Sequence, residues 1–259
     1  MNEALHLRGF ETRSCQWGKG ARSLMCLHPL GQNADFHARL ASHLGPGWSV
    51  HAFDQRGHGA ASQTAADDLQ QLVDDAEAFL DRVGPPAHLA GFSMGGAVAA
   101  LLAARRISGI ETLTLVATPD RGLPVFAERA CALAAGSVAA VTEPTIARWF
   151  GRTEGDSAIA VAREALSKLR PEGFDAAWRA LASFQGYARI AHALPPTLCI
   201  AFADDLSTPP DVADRIADLI RAAGGDVRRI DIADAGHMGL LQKPAEVAAA
   251  IADFVEMRG

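Results

Sequence analysis

Six short apolar runs, each followed by a loop and then a helical pattern, set the tightest limit on how this chain can fold. They are SLMCLH (23–28), WSVHAFD (48–54), AHLAGF (87–92), ETLTLVA (111–117), PTLCIAF (196–202) and VRRIDIA (227–233). Runs of this length, rich in branched residues and bounded by Gly and Pro, predict strands buried on both faces of a parallel sheet. Between them, DDLQQLVDDAEAFLDRVG (67–84) places Leu69, Leu72, Val73, Ala76, Phe79 and Leu80 at helical spacing. Gly84 and Pro85 predict the end of that helix. Residues 5–17 predict an antiparallel hairpin leading into the sheet. Strand and helix units in alternation predict an α/β fold with a mostly parallel, doubly wound sheet.

Residues 120–190 break the alternation. They hold no convincing strand but several helical patterns, among them EPTIARWFG and DAAWRALASFQGYARI. This stretch of 71 residues carries seven of the sixteen aromatics: Phe126, Trp149, Phe150, Phe174, Trp178, Phe184 and Tyr187. A helical insertion with its own small core is expected there, placed as a cap or lid where open α/β sheets bind ligands. The expected organisation is a core of 1–119, a helical cap of 120–190 and the remainder of the core at 191–259.

Charge excludes some partners. With 24 basic against 30 acidic residues the net charge is −6, and no block of Lys and Arg stands out. No nucleic-acid and no membrane partner is therefore expected. Cys15, Cys26, Cys131 and Cys199 are far apart and form no C-x-x-C pair, so no metal or redox site is indicated and buried reduced thiols are expected. The opening MNEALHLRGFETRSCQW lacks the apolar stretch of a signal peptide, and no apolar run is long enough to span a bilayer. A cytoplasmic protein is the expectation. Self-association is left open.

The chemistry begins at Ser93. Gly91-Phe92-Ser93-Met94-Gly95 matches G-x-S-x-G, directly after a predicted strand and before a predicted helix. A sharp strand-to-helix turn strains the serine and needs small neighbours, and it presents the hydroxyl at a helix N-terminus. A serine nucleophile needs a base, and nine histidines compete. His237, in the glycine-flanked loop AGHMG after the last predicted strand, lies on the same sheet edge as Ser93. His28 and His58 also follow strands and are read as ordering turns. The strand at 196–202 is followed by Asp204 and Asp205, either of which can orient the imidazole while the other caps the turn. An oxyanion needs two donors. The Met94 N–H supplies one, and Leu30 in HPLGQN is the nearest candidate for the other, since Pro29 has no N–H. Phe92, Trp149, Phe150 and Met238 are candidate walls of a substrate site, and Arg148 a candidate partner for a substrate carboxylate.

The stretches LHPLGQNADFHARLASHL, FDQRGHGAAS, GFSMGGAVA, FADDLSTPP and AGHMGLLQKPAEV occur in this order across nearly the whole chain. Together they resemble the α/β-hydrolases, and within that superfamily the 3-oxoadipate enol-lactonase-like hydrolases. The resemblance implies an α/β-hydrolase fold, Ser93 as nucleophile, His237 as base, and oxyanion donors at Leu30 and Met94. The family's D-x-x-T-P-P arrangement, matched by Thr208, Pro209 and Pro210, points to Asp205 as the acid. The usual His-Gly pair is His28-Pro29 here.

The expected activity is hydrolysis of a small-molecule carboxylic ester or lactone through an acyl-serine intermediate, with no metal or organic cofactor. Activity should rise as His237 loses its proton, between about pH 6 and 8. Carbon–carbon bond hydrolysis, thioester cleavage and cofactor-free perhydrolysis use the same triad. A non-catalytic ligand-binding protein on the same fold is the alternative of another class.

Overall fold

A computed structural model describes residues 2–84, 87–105, 108–134, 138–151 and 157–258. Eight strands form one sheet in the order β1-β2-β4-β3-β5-β6-β7-β8. Strands β1 (Asn2–Leu7) and β2 (Phe10–Trp17) make the expected hairpin, turning through Arg8 and Gly9, both at positive φ. Strand β2 runs antiparallel to β4 (Trp48–Phe53). From β4 onward, β3 (Arg22–Leu27), β5 (Ala87–Phe92), β6 (Ile110–Val116), β7 (Thr197–Phe202) and β8 (Val227–Ile232) are all parallel. The apolar runs read from the sequence match these strands within about one residue. The central β5 and β7 are buried at every position, which is why their sequences do not alternate.

Helices flank the sheet. Helix α1 (Ala38–His43) packs against α10 (Pro244–Glu256), and α2 (Leu69–Val83) packs against α3 (Met94–Arg105). Helix α8 (Pro210–Ala222) covers β7 and β8. Helix α2 shows why the local sequence folds as it does. The Asp68 carboxylate caps the Gln71 N–H at 2.8 Å, the apolar stripe from Leu69 to Leu80 is buried, and Gly84 at φ +83 ends the helix. The Pro85 expected beside Gly84 lies outside the described residues.

Between β6 and β7 the chain leaves the sheet to form α4 (Pro124–Ala134), α5 (Val138–Phe150), α6 (Ser157–Ser167) and α7 (Pro171–Ala182). Helix α4 packs on α7 and α5 on α6. Trp178 anchors the first pair, with its ring centroid 5.6 Å from Phe126 and 6.1 Å from Phe174. All four thiols are free. Cys15, Cys26 and Cys199 are buried as expected, whereas Cys131 is exposed on α4. No helix of the described residues is long and apolar enough to cross a membrane.

Candidate active site

Ser93 sits between β5 and α3 at φ +51, a conformation a β-carbon disfavours. Its N–H donates to the Val116 carbonyl at 2.9 Å, and its carbonyl accepts the Gly96 N–H at 2.9 Å, so the turn is held from both sides. The glycines around it answer to close backbone approach. A β-carbon on Gly91 would strike the backbone of Gly95 and Gly96, and one on Gly95 would strike that of Leu27 and His28.

His237 Nε2 lies 2.9 Å from Ser93 Oγ, and His237 Nδ1 lies 2.8 Å from Asp205 Oδ2. The ring nitrogen facing Asp205 carries the proton, leaving Nε2 free to accept from the serine. Asp205 is 2% exposed, yet its oxygens also accept the Ser207 N–H at 2.7 Å, the Thr208 N–H at 2.9 Å and the Thr208 hydroxyl at 2.7 Å. Burial pushes its carboxyl up, but neighbouring His237 and the Thr208 hydrogen bonds outweigh that and hold it below the ordinary aspartate range. The choice between neighbouring aspartates is thus resolved by geometry. Asp204 is exposed, and its N–H closes the turn onto the Ala235 carbonyl at 3.0 Å.

Opposite the serine runs the turn Pro29–Gln32. Among the described residues, neither the Leu30 nor the Met94 N–H has an intramolecular acceptor. The next amide, Gly31 N–H, donates to His58 Nε2 at 3.0 Å, and His58 Nδ1–H donates to the Arg56 carbonyl at 2.9 Å. His28 accepts the Gln55 N–H at 3.0 Å and donates to the Pro29 carbonyl at 2.9 Å. Burial holds both rings below the ordinary histidine range, so each stays neutral with one nitrogen donating and one accepting. The turn-ordering role read for these two histidines is therefore specific: His28 and His58 brace the loop that carries Leu30.

A narrow cleft opens over Ser93, lined by Leu30, Ser207, Thr208 and His237 from the core and by Phe126, Arg129, Trp149, Trp178 and Leu181 from the helices. Of the side chains expected as substrate walls, Trp149 alone lines it. Phe92 instead packs under the sheet edge, with ring centroids 5.5 Å from Phe36 and 5.1 Å from His37. Met238, 1% exposed, points into the core at the start of the short helix α9 (Gly239–Gln242). Phe150 is buried in the core, its backbone beside Gly236, and does not line the cleft. Alternation explains the first two misses: residues flanking a nucleophile or base on such sharp turns point away from the side chain they flank. Arg148 lines a second, adjoining cavity. Arg129, Trp178, Leu181 and Ser207 were not anticipated as lining residues; Ser207 lies within the D-x-x-T-P-P arrangement, and no motif marks the other three. Among the described residues, no three His, Cys, Asp or Glu side chains are grouped to hold a metal ion.

This fold, with a serine at its strand-to-helix turn and a histidine and aspartate on following loops, defines a class, and comparison with known proteins agrees. The sequence profile of the alpha/beta hydrolase family matches residues 24–250, and the chain belongs to that family. The pimeloyl-[acyl-carrier protein] methyl ester esterase of Chromobacterium violaceum is 27% identical over 251 residues, covering 92% of this chain and 96% of that protein. Among solved structures, the enol-lactonase of Burkholderia xenovorans superposes with a TM-score of 0.89 at 23% identity, over 98% of this chain and 100% of its own. A thermophilic esterase of Thermogutta terrifontis, solved with malate bound, gives 0.85 at 21% identity over 99% and 98%. At those identities the two structures speak for the fold.

Proposed function

We propose that this chain is a serine hydrolase that cleaves a small carboxylic ester or lactone through an acyl-serine intermediate. The observation that carries the reading is the unbroken hydrogen-bonded line from Asp205 through His237 to Ser93, which lines a narrow cleft under the helices. Related proteins named as a methyl ester esterase and an enol-lactonase support the same chemistry.

In this mechanism His237 Nε2 takes the Ser93 proton as Oγ attacks the carbonyl carbon. The carbonyl oxygen, now an anion, is received by the unpartnered Leu30 and Met94 amides. His237 protonates the departing oxygen, and the acyl group stays on Ser93. Water then enters, loses a proton to His237 and attacks the acyl carbon, and Ser93 recovers its proton as the acid leaves. Asp205, ionised throughout, keeps the imidazole oriented and stabilises its charged form. The helices over the pocket serve as a lid, with Trp149, Trp178 and Leu181 excluding bulk water and shaping the acyl site.

Labelling with a fluorophosphonate, alongside turnover of p-nitrophenyl acetate, tests this. Wild type should label and turn over, and Ser93→Ala should do neither. A folded wild type that refuses the label would overturn the reading in favour of a ligand-binding protein.

A further inference from the structure

The cleft over Ser93 is narrow, and its walls show where it can widen. Of the residues that line it, Ser93, Arg129 and Ser207 keep partial exposure, and the rest are buried. A molecule bound for the serine therefore passes Arg129 or Ser207. Ser207 is not free to yield. Its N–H donates to Asp205 Oδ1 at 2.7 Å, so a shift there disturbs the acid that orients His237. Arg129 has no such tie. Among the described residues its guanidinium makes no ion pair and no hydrogen bond, and Glu128 acts on it only from a distance. It rests on aromatic faces, 5.0 Å from the Trp178 centroid and 5.7 Å from that of Phe126.

Beyond Arg129 lies a second cleft, between α4, α5 and α7, which shares Arg129 and Trp178 with the first. Val141, Pro144 and Phe174 are among its walls, and it reaches solvent where Pro144 is exposed and Val141 half-buried. Arg129 and Trp178 thus stand between an outer vestibule and the serine. The two differ in freedom. Trp178 is 6% exposed and wedged between Phe126 and Phe174, with ring centroids 5.6 and 6.1 Å away. A guanidinium over an indole is held by a weak attraction, and its long stem can carry it into water without leaving a charge unpaired. The pair has one fixed leaf and one that swings.

We propose that molecules reach Ser93 through the cleft between α4, α5 and α7, and that the Arg129 side chain, resting on Trp178, is the gate that sets the size admitted. Arg129 then acts on selectivity through passage rather than by touching the reacting atoms. A small molecule passes with the guanidinium in place, and a bulky one waits for it to swing aside. Access is the same whatever reaction follows, so the gate stands or falls apart from the acyl-transfer reading of Ser93.

A thiol in place of the serine hydroxyl reads access without calling on acyl transfer. In a Cys131→Ser, Ser93→Cys background the other three thiols are buried, and modification at position 93 by methyl and by benzyl methanethiosulfonate can be timed by mass spectrometry. Adding Arg129→Ala should raise the benzyl rate about tenfold and the methyl rate less than about twofold. Because the readout is a ratio of two rates on one variant, any change in the reactivity of the thiol itself cancels. Val141→Trp, which fills the outer cleft, should slow both reagents about tenfold at an unchanged Tm. If that variant does not fold, the Arg129→Ala ratio decides alone. A benzyl-to-methyl ratio unmoved by Arg129→Ala would overturn the gate, as would a thiol that neither reagent reaches in parent or variant. Val141→Trp folded and reacting at the parent's rates would overturn the route and move it to the Ser207 side.

Discussion

The histidines and aspartate around Ser93 and the arginines of the helices above them are bonded to different extents. At the edge, Asp205 accepts from His237, Ser207 and Thr208, and His28 and His58 each use both ring nitrogens. In the helical insertion, Arg129 and Arg148 line one cleft and, among the described residues, neither makes an ion pair, Glu128 acting on Arg129 only from a distance. The network of Asp205, His237, His28 and His58 keeps one geometry, which suits a reaction that needs the same atoms in the same places each time, although His37 close by is left without a bond. On the proposed hydrolase reading, the edge would make and break bonds and the insertion would bear on which substrate enters.

Disturbing the edge should do the most damage to turnover. Asp205→Asn keeps the shape but loses the carboxylate that fixes the His237 tautomer, and kcat for p-nitrophenyl acetate should fall about 10⁴-fold with the circular dichroism spectrum unchanged. Asp204→Asn serves as the counter-case, and an equal loss there would show that the wrong aspartate has been chosen. Disturbing the insertion should show in stability instead. Trp149 is 3% exposed, and Trp149→Ala should cost about 3–5 kcal/mol in urea denaturation. A loss under about 1 kcal/mol would mean that α5 is not docked as described.

The loop between the two regions sharpens the comparison. His58→Ala removes the acceptor of the Gly31 N–H and frees the Leu30 amide to drift, so kcat should fall about 10- to 100-fold with KM little changed. His58→Gln, which can still offer an acceptor oxygen, should recover part of the loss. An equal defect in both would reduce His58 to a packing role.

The smallest effect concerns acid. His28, His37 and His58 are wholly buried and held below the ordinary histidine range, chiefly by burial. Below about pH 6.5 the unfolded chain binds protons there that the native chain refuses. Stability is therefore intact above that pH and falls as pH drops, by at most about 4 kcal/mol per unit for three such groups. His37 bonds through neither ring nitrogen, so His37→Phe should flatten the slope by about a third without touching the oxyanion loop. Parallel urea titrations at pH 7 and 5.5 would read it, and an unchanged slope would mean that His37 takes up its proton in the native state.

Most of the sheet and the Ser–His pair were legible because each is dictated locally. A fully buried strand has nowhere to put a polar side chain, and the turn at Ser93 tolerates only small neighbours such as Gly91 and Gly95. The acid was legible to within one residue. Thr208 completed it, because the hydroxyl three residues on reaches back to Asp205. What stayed hidden depends on distant packing. Arg129 gains its meaning from Trp178 on another helix, and His58 from an amide 27 positions earlier. The insertion has its own apolar spacing but no motif, so its helices could be expected and their inner faces could not. Phe92 and Met238 show the converse: nearness in sequence to Ser93 and His237 gave neither a place in the cleft lining.

One residue of α5 touches both halves of the edge. The Trp149 ring lies against Gly31, where a β-carbon would meet it at 2.7 Å, and the Trp149 carbonyl lies against Gly236, beside His237. It works as a keystone between two otherwise separate arches. Lifting α5 to admit a bulky guest would loosen the loop that receives the oxyanion and the loop that carries the base in the same movement. On the proposed hydrolase reading, a guest that holds α5 away from these two glycines would disarm the site it enters, and Trp149→Phe, which keeps the carbonyl contact but shortens the ring, would separate the two arches.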